Sequence, residues 1–556
     1  MGERVLRAQR EDVPWDMSTD VVVAGSGAAG WSAAIGAALA GAEVLVLEKE
    51  ATIGGTTAKA GGRYGGEVAS TWLWICNHPW MAELGLTDPR PEALRYLARL
   101  SRPELYDPAR PTLGLPPGEY ALVEVFYDRG SEAVAALADC GALPLRSLAG
   151  TLDYYADLPE NAAPNGRGLY LPMPDGTEGL GSDIVESMRA KAEDLGVGLR
   201  TESGVWGLVV DDDDEVIGVA AGARASDLVL VEARKGVIFA TGGFTHDDDL
   251  RRNHLRGPVV GGLAGAGCTG DLVRIAGEIG LDLAGMNEAW HVPMVLDHAP
   301  APVSGAFRLP GDSMIVVNTA GRRVVNEKTT YNEMTRAFFA WDPGRAVYPN
   351  LPLIMIYDDD VSRRCRAMPE DAPVTDGGGN PIPPIPGEGH EIVGQTWAEL
   401  AEKIDEKLAK YQHIVPGARL DEAFVDGLQQ TLTEWNEMSE RGVDSDLGRG
   451  GTSTERRRSG PPRREGMANP TMHGFAETGP YYAVVLVPGV LDTKGGPRID
   501  TRARMLRTDG EPVPGLYGAG NAVASPAGQA YWAGGTTLGL GVTFGWIAGL
   551  DAAGRS

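Results

Sequence analysis

A glycine-rich segment that follows a short apolar run near the N-terminus constrains the fold of this 556-residue chain more than any other feature. Residues 20–24 predict a buried strand, which leads directly into the motif Gly-Ser-Gly-Ala-Ala-Gly at 25–30 and an alanine-rich stretch. A second apolar run, 43–47, ends in Glu48, 18 positions after Gly30. A strand, glycine turn, helix and strand with an acid at this distance are typical of a dinucleotide-binding unit.

Each part of this pattern has a physical role. The glycines at 25, 27 and 30 let the backbone approach a pyrophosphate, which the helix N-terminus then faces. The carboxylate of Glu48 can accept hydrogen bonds from ribose hydroxyl groups. The alternative interpretation is a tight turn that only packs a helix against a strand.

Three later segments favour FAD over a nicotinamide dinucleotide. A second Gly/Thr-rich loop, 54–62, follows Glu48 within ten residues, where a nicotinamide domain would usually continue as plain helix and strand. Residues 235–243 predict a buried strand that ends in a glycine turn, and 515–521 repeat this pattern near the C-terminus. We expect these segments to meet at one site, because the long flavin nucleotide needs contacts from several parts of the chain.

Net charge and cysteine content argue against nucleic-acid binding, membrane binding and a disulfide-bonded fold. The chain has 76 acidic and 50 basic residues, and its net charge of −26 opposes binding to nucleic acid or to an anionic membrane surface. Its four cysteines form no CxxC pair, so neither a zinc site nor a disulfide framework is indicated. No apolar run approaches the ~18 residues of a spanning helix, and no signal peptide is evident. These features predict a cytoplasmic protein.

Residues 20–62, 235–243 and 515–550 resemble the superfamily of FAD-dependent fumarate reductases and 3-ketosteroid dehydrogenases. The sharpest likeness, to the Δ1-dehydrogenases, lies in Gly479-Pro-Tyr-Tyr-Ala483, Thr493-Lys-Gly-Gly496, Gly515-Leu-Tyr-Gly-Ala-Gly-Asn521 and Tyr531-Trp-Ala-Gly-Gly535. The resemblance implies an α/β fold in which an α+β cap (catalytic) domain, 289–493, is inserted into a discontinuous Rossmann-like FAD-binding domain, 1–288 and 494–556.

The resemblance also implies an activity, the α,β-dehydrogenation of a cyclic ketone, above all a 3-ketosteroid. The Tyr531 hydroxyl and the Gly535 N–H would bind the ketone oxygen, and Tyr331 would take the α-proton. Tyr154, in an Asp-Tyr-Tyr segment, would assist Tyr331, because a free phenol with a pKa of about 10 is a poor base. Flavin N5 would accept the hydride.

We expect FAD to be bound without a covalent link. The residues predicted to contact it are Gly25, Gly27, Ala28, Ala29, Gly30, Glu48, Lys49, Gly54, Gly55, Thr56, Thr57, Ala60, Gly61, Gly62, Val205, Ala240, Thr241, Gly242, Gly520, Asn521, Thr537 and Leu538.

The chain departs from the Δ1 pattern in three places, which leaves substrate and regiochemistry open. It has Trp-Ala-Gly at 532–534, Thr-Thr-Leu-Gly at 536–539, closer to the Δ4-dehydrogenases, and the polar segment 58–64 where an apolar one is usual. A small ring such as an oxocyclohexane carboxylate is therefore an alternative substrate. Lys59 and Arg63 could reach its carboxylate, and a group of tryptophans would narrow the slot, namely Trp72, Trp74, Trp290 and Trp532.

Two further alternatives concern the type of function. A fumarate-type reductase would need clamps for two carboxylates, to which Arg322 and Arg323 are possible contributors. A flavoprotein that only binds FAD for electron transfer would not need three aligned tyrosines. The electron acceptor and the oligomeric state stay open.

Local patterns give four more predictions. We expect β-hairpins at 205–220, around a solvated turn of four aspartates, and at 314–325. Residues 371–390 predict a loop, and Thr396 begins a helix with a capping box. The arginine-rich segment 456–464 is interpreted as a solvated loop of the cap, with a phosphate-binding patch as the alternative.

Overall fold

The structure is a computed structural model that describes residues 4–64, 67–224, 226–299, 311–366, 375–376, 390–459 and 465–555. The strands of this part of the chain are β1 Val5–Arg7, β2 Met17–Ala24, β3 Val44–Leu47, β4 Gly62–Tyr64, β5 Glu67–Ala69, β6 Trp72–Trp74, β7 Arg146–Ser147, β8 Gly168–Tyr170, β9 Gly198–Arg200, β10 Gly204–Val210, β11 Val216–Gly222, β12 Val229–Phe239, β13 Gly261–Gly262, β14 Leu283–Ala284, β15 Ala289–Val295, β16 Met314–Val317, β17 Leu353–Asp358, β18 Thr375–Asp376, β19 Ile392–Gly394, β20 Tyr481–Thr493, β21 Gly496–Pro497, β22 Arg504–Leu506 and β23 Pro512–Gly518. The α-helices are α1 Ala28–Leu39, α2 Gly55–Lys59, α3 Arg90–Ser101, α4 Pro117–Asp139, α5 Gly181–Asp194, α6 Asp248–His254, α7 Asp271–Ala276, α8 Tyr331–Arg336, α9 Asp359–Arg366, α10 Trp397–Lys410, α11 Phe424–Arg441, α12 Ser453–Ser459 and α13 Thr536–Ala553.

Within the described part of the chain, the larger sheet has nine strands and contains both strands of the dinucleotide motif. Strands β3, β2, β12 and β23 are parallel neighbours in that order. Their last residues lie side by side, because Ala24 pairs with Leu47 and Phe239 pairs with both Ala24 and Gly518. Ligands of open α/β sheets bind outside the carboxyl ends of such strands. This edge is therefore where a dinucleotide is expected.

Helices α1 and α13 pack against each other through small residues. A side-chain carbon added at Gly545 would lie 2.2 Å from the Ala29 carbonyl oxygen, and one at Gly549 would lie 2.1 Å from that of Ala33. The contacts advance along both helices in the same direction, so the helices run parallel. Both N-termini consequently point to the same side of the sheet.

The second sheet has six strands among the described residues, and it packs against a separate apolar core. Strand β20 pairs with β13, β15, β17 and β19, and β17 pairs with β16. Helices α10 and α11 contribute buried residues to this core, among them Leu400, Leu428 and Trp435. Tyr331 contacts the cores of both sheets. The domain bounds 1–288, 289–493 and 494–556 stay a prediction; β13, which precedes position 289, belongs to the second sheet.

Most of the local predictions that fall on described residues are confirmed. Strands β10 and β11 form the first hairpin, and Asp211–Asp214 lie in its turn. The Thr396 hydroxyl caps α10 by accepting from the Glu399 N–H, although the Glu399 carboxylate bonds the N–H of Gln395 and not that of Thr396. Apart from 375–376 and 390, the predicted loop 371–390 lies outside the described residues.

The second predicted hairpin, 314–325, is wrong in its second arm. Only the single bridge between Val317 and Arg323 forms, and β16 pairs with β17 instead. The reason is that Arg323 turns into a buried ion-pair network, so residues 322–325 do not continue a ladder.

Candidate active site

The three glycines of the first motif have different environments. A side-chain carbon at Gly25, whose φ is +102°, would lie 2.4 Å from the Ala240 carbonyl oxygen, and one at Gly30 would lie 2.0 Å from that of Gly25. These two glycines are required for the turn and for the close approach of helix to strand. At Gly27, the N-cap of α1, the nearest atom of the described part of the chain would be the Thr57 hydroxyl oxygen at 3.4 Å. The backbone there is open to a ligand, and it fits the pyrophosphate of FAD.

Glu48 is buried at the end of β3 and holds the first glycine turn. Its carboxylate accepts from the Ser26 N–H (3.1 Å), from the Ser26 hydroxyl and from the Glu50 N–H (2.9 Å). The Ser26 hydroxyl in turn accepts from the Gly54 N–H at 2.9 Å. Glu48 therefore links the two glycine loops, a structural role that is additional to the predicted ribose contact.

The loop of residues 54–57 lies against the start of α1. The Thr57 hydroxyl accepts from the Ala28 N–H at 3.1 Å, and the Thr56 hydroxyl accepts from the Gly265 N–H at 3.0 Å. No atom of the described residues lies within 4 Å of a side-chain carbon added at Gly55. This loop therefore presents open backbone beside the α1 N-terminus, as a cofactor cradle requires.

A narrow cavity lies at the N-terminus of α13. Its lining includes Trp290, Gly520, Asn521, Thr537 and Leu540. The Asn521 amide is fixed in place, because its oxygen accepts from the Trp290 indole at 2.9 Å and its nitrogen donates to Asp492 at 3.0 Å. Three predicted cofactor residues thus share one cavity at the edge of the large sheet.

The other predicted cofactor residues have the following places. Ala29 lies in the first turn of α1, and Lys49 follows the end of β3. Ala60 to Gly62 connect α2 to β4, and Ala240 to Gly242 follow β12. Val205 is buried in β10, and Leu538 lies in α13. The Lys49 ammonium group donates to Thr269 (2.6 Å) and Asp271 (3.0 Å). Contacts of these residues with FAD stay predictions.

The three predicted catalytic tyrosines form one cluster. The Tyr154 hydroxyl donates to the Tyr331 hydroxyl at 2.9 Å. Ring centroids are 5.8 Å apart for Tyr154 and Tyr331, and 5.5 Å for each of them with Tyr531, all edge to face at 74–80°. Trp290 packs on Tyr531 with ring centroids 4.8 Å apart. Segments from three distant parts of the chain therefore meet at one point.

A buried ion-pair cluster positions Tyr154. The preceding residue, Asp153, accepts from the Arg167 guanidinium at 2.5 Å and from the Trp74 indole at 2.7 Å, and Asp88 pairs with the other side of Arg167. The Tyr154 N–H donates to the Trp532 carbonyl oxygen at 3.1 Å. The Asp-Tyr-Tyr segment is consequently part of the core and is not a surface loop.

A second buried network positions Tyr331, the first residue of α8. Glu327 accepts from the Val316 N–H at 3.1 Å and pairs with Arg323 at 2.8 Å and with Arg449 at 3.3 Å. Both guanidinium groups lie 4.7 Å from the Trp435 ring centroid. The Asn-Glu pair before Tyr331 thus anchors the turn that leads into α8.

A contact across the cluster joins the two networks. The Tyr155 hydroxyl donates to the Glu333 carboxylate at 2.9 Å, and Glu333 also accepts from Asn332 at 2.8 Å. This contact fixes α8 relative to the Tyr154 segment, which keeps the Tyr154–Tyr331 distance short.

Burial raises the pKa of all three cluster tyrosines above the usual value. The hydrogen bond between Tyr154 and Tyr331 favours the loss of one proton from the pair and disfavours the loss of a second, so the two titrate as a unit. The Arg458 guanidinium, 5.9 Å from the Tyr154 ring centroid, lowers the pKa of Tyr154 and opposes the effect of burial.

Gly535 is the N-cap of α13 and lies four positions after Tyr531. Its φ is +92°, and a side-chain carbon there would lie 2.6 Å from the Trp72 carbonyl oxygen, so only glycine fits. No described residue accepts a hydrogen bond from its N–H. A helix N-terminus favours negative charge, and an N–H group at this position suits a developing oxyanion.

Arg458 is the residue near the cluster that sequence analysis missed. It was assigned to a solvated loop, whereas α12 places it over Tyr154. Arg463 and Arg464 lie outside the described residues. Spacing along the chain carried no signal for this contact, because it depends on how α12 docks against the Tyr154 segment.

The tryptophans and basic residues that were expected near the substrate have the following places. Trp74 and Trp532 are buried and pack against each other with ring centroids 5.7 Å apart, whereas Trp72 and Trp290 lie beside the tyrosines. The Lys59 ammonium donates to the Ala264 carbonyl oxygen at 3.2 Å. The Arg63 side chain lies outside the described residues.

None of the helices in the described part of the chain combines the length and apolar character needed to cross a bilayer. Among these residues, no group of three His, Cys, Asp or Glu side chains is placed to hold a metal ion.

The glycine loops at the carboxyl edge of a parallel sheet, with a polar cluster beside them, define a dinucleotide-dependent oxidoreductase. A family model described as "FAD binding domain" matches residues 20–538. The chain belongs to this FAD-binding family, within the superfamily of 3-ketosteroid dehydrogenases and fumarate reductases, and FAD is its cofactor. The predicted fold class and cofactor are thereby confirmed.

Two curated relatives align over almost the whole chain. A 3-oxosteroid 1-dehydrogenase from Mycolicibacterium smegmatis is 30% identical, with 96% of this chain and 97% of the relative covered. A 4-oxocyclohexanecarboxylate 2-dehydrogenase from Sinomonas cyclohexanicum is also 30% identical, with 97% and 93% covered. The crystal structure of the 3-ketosteroid Δ1-dehydrogenase from Sterolibacterium denitrificans has the same fold, with a TM-score of 0.75, 24% identity and coverage of 96% and 99%.

Proposed function

We propose that this protein introduces a carbon–carbon double bond next to the ketone of a cyclic substrate, and that a 3-ketosteroid is this substrate. The observation that carries the proposal is the 2.9 Å hydrogen bond between the Tyr154 and Tyr331 hydroxyl groups, with Tyr531 in edge contact with both rings. A protein that only bound FAD for electron transfer would have no use for three phenols at one point.

The chain's own residues divide the work as follows. The Tyr531 hydroxyl and the Gly535 N–H donate to the ketone oxygen and stabilise the enolate, a contribution of a few kcal/mol per donor. Tyr331, after the Tyr154–Tyr331 pair has released one proton to solvent, takes the α-proton. When bound, FAD would supply the acceptor for the hydride that leaves the neighbouring carbon. The new double bond is conjugated with the ketone, which favours dehydrogenation.

The arrangement of the arginines disfavours the fumarate-type reductase. Arg323 is buried and held by Glu327 and Asp444 at 2.8 Å each. Arg322 donates to Gln430 on the exposed side of the chain. Neither side chain is free to clamp a dicarboxylate. The proposed direction of the reaction is therefore dehydrogenation of the carbon–carbon bond next to the ketone.

A small cyclic ketone that bears a carboxylate is the second candidate substrate. Arg458 is exposed beside Tyr154, so a cation is available near the reacting groups, although Lys59 is engaged elsewhere. The name of the Sinomonas relative describes such a substrate. The three tyrosines are compatible with both candidates.

One experiment separates these possibilities. The purified yellow protein is mixed without oxygen with 3-ketosteroids, with 4-oxocyclohexanecarboxylate or with succinate, and bleaching of the FAD absorbance is followed. We expect bleaching by a 3-ketosteroid and none by succinate. If only the oxocyclohexane carboxylate bleaches the FAD, and steroids do not compete, the second candidate is correct. Rapid oxidation of the chemically reduced protein by fumarate alone would instead support the reductase.

The proposal also covers the mode of FAD binding, the cellular location and the domain that supplies each tyrosine. FAD is held without a covalent bond, by the glycine loops and Glu48. The protein acts in the cytoplasm, in keeping with the free cysteines Cys76, Cys140 and Cys268. The cap, 289–493, supplies Tyr331, while the FAD-binding domain supplies Tyr154 and Tyr531.

A further inference from the structure

The Tyr154–Tyr331 pair lies in surroundings that oppose its use as a base. A base must carry the negative charge before it accepts the α-proton, and burial disfavours that charge. Tyr531, which touches both rings, adds a further unfavourable interaction with a Tyr154 anion. Proton abstraction at neutral pH therefore requires a positive charge close to the pair.

The charged and titratable groups that face the pair come from several elements. Tyr531 precedes α13, Tyr155 is bonded to Glu333, and Glu333 is paired with Arg336 at 3.4 Å. Lys494 lies behind Trp290, 4.1 Å from the ring centroid, and donates to the Ala530 carbonyl oxygen. These cations are separated from the hydroxyl groups by an acid or by an aromatic ring.

Arg458 differs from these groups because it lies directly over Tyr154. Its guanidinium carbon is 5.9 Å from the Tyr154 ring centroid, and no described carboxylate forms an ion pair with it. The acid of the same helix, Glu455, is engaged by the Gly450 N–H and by Asn326. The charge of Arg458 is thus available to the pair.

Helix α12 is fixed to the Tyr154 segment, so the contact is built into the fold. The Thr454 hydroxyl, which is buried, donates to the Asp153 carbonyl oxygen at 2.8 Å. The Ser453 N–H donates to the Asp157 carboxylate at 2.6 Å. These two bonds attach the first turn of α12 to the residues on both sides of Tyr154.

We infer that Arg458 is a positioning residue for proton abstraction, whose guanidinium stabilises the negative charge of the Tyr154–Tyr331 pair. The inference rests on the proposed function, and it adds a residue from outside the tyrosine cluster. A charge at this distance near the surface shifts the ionisation of the pair by about one pH unit. Because the guanidinium is exposed, salt weakens its effect.

The test compares Arg458→Gln, Arg458→Lys and Arg457→Gln as holoenzymes with a ketone that bleaches the wild-type FAD. Arg457 is the matched control, because it carries the same charge on the same helix but lies against Gly150. The bleaching rate and its KM are measured from pH 6 to 10 at low and at high salt. FAD content is checked for every variant, so that loss of cofactor is not mistaken for loss of rate.

We expect Arg458→Gln to move the rising limb of the pH profile upward by about one unit, so that the rate near pH 7 falls roughly tenfold. Its KM should change little. Arg458→Lys should keep most of the rate, and Arg457→Gln should match the wild type. High salt should shift the wild-type limb toward that of Arg458→Gln and leave Arg458→Gln itself almost unchanged.

Two results would overturn the inference. If the pH profile of Arg458→Gln rises at the same pH as that of the wild type at low salt, the charge of Arg458 does not stabilise the anion of the Tyr154–Tyr331 pair. A rise in KM confined to ketones with a carboxylate, with an unchanged pH profile, would show that Arg458 binds substrate instead. Tyr331→Phe, measured in parallel, separates this failure from that of the proposed function: undiminished bleaching in that variant removes both.

Discussion

The Tyr154 hydroxyl donates a 2.9 Å hydrogen bond to the Tyr331 hydroxyl, across 177 positions of sequence. Each tyrosine is held by its own buried ion-pair network, Asp153 with Arg167 on one side and Glu327 with Arg323 on the other. A hydrogen bond between two such rigidly held groups is preorganised, so little reorganisation is needed when the pair ionises.

Tyr331→Phe should abolish bleaching of the FAD by substrate while leaving the FAD spectrum unchanged, because only the proton acceptor is lost. Loss of a general base typically lowers a rate by about 10²–10⁴-fold. Stopped-flow absorbance under anaerobic conditions measures the change. Tyr348→Phe is the control, since Tyr348 packs edge to face against the exposed Trp341 and takes no part in the tyrosine cluster. A Tyr331→Phe variant that bleaches at the wild-type rate assigns the base elsewhere.

The bleaching rate should rise with pH. Burial holds the pKa of Tyr331 above its usual value, so at neutral pH only a small fraction of the pair is ionised. Below that pKa the ionised fraction increases tenfold per pH unit, and the rate should follow with a slope near one. Tyr154→Phe removes the hydrogen-bond donor and should move the rise to higher pH, with a loss of roughly tenfold at pH 7. A flat profile between pH 6 and 9 would contradict this assignment.

Glu48→Ala should weaken the retention of FAD. The substitution removes the predicted ribose contact and also releases the Ser26 and Glu50 N–H groups that the carboxylate holds. Hydrogen bonds to a charged group contribute about 1.5–3 kcal/mol, which corresponds to roughly a ten- to hundredfold weaker affinity. Release of FAD on dilution, followed by fluorescence, measures the effect.

Glu43→Ala is the matched control for Glu48→Ala, because Glu43 directly precedes the same strand and pairs with Arg234 at the surface. It should retain FAD as the wild type does. Equal retention by both variants would remove Glu48 from the cofactor site. FMN or a nicotinamide nucleotide in the supernatant of the denatured protein would contradict the cofactor itself.

Gly545→Ala should destabilise the protein and loosen FAD together. The added carbon would lie 2.2 Å from the Ala29 carbonyl oxygen, so α13 must move away from α1, at a cost of about 1–3 kcal/mol. Both helix N-termini border the cofactor site, so their separation should weaken FAD binding. Thermal unfolding with and without added FAD measures both effects. Gly554→Ala, with no contact nearer than 3.5 Å, should behave as the wild type.

The dinucleotide fingerprint could be predicted from sequence because its signal is local. Strand, turn, helix and acid lie within 29 residues, from Asp20 to Glu48. Gly25 and Gly30 illustrate this, since the space beside Gly30 is filled by the Gly25 carbonyl group itself. The tyrosine positions were predicted through the family resemblance, which preserves their order along the chain.

The tertiary structure alone decided which charges surround those tyrosines. Arg458 and Tyr154 are distant in sequence, and only the docking of α12 through Thr454 brings them together. Likewise, Arg323 looked available for substrate until Glu327 and Asp444 enclosed it, and Trp532 was found in the core with Trp74. Sequence determined the backbone motifs, because they depend on neighbouring residues. Electrostatics and burial depend on long-range packing, and so only the folded chain could determine them.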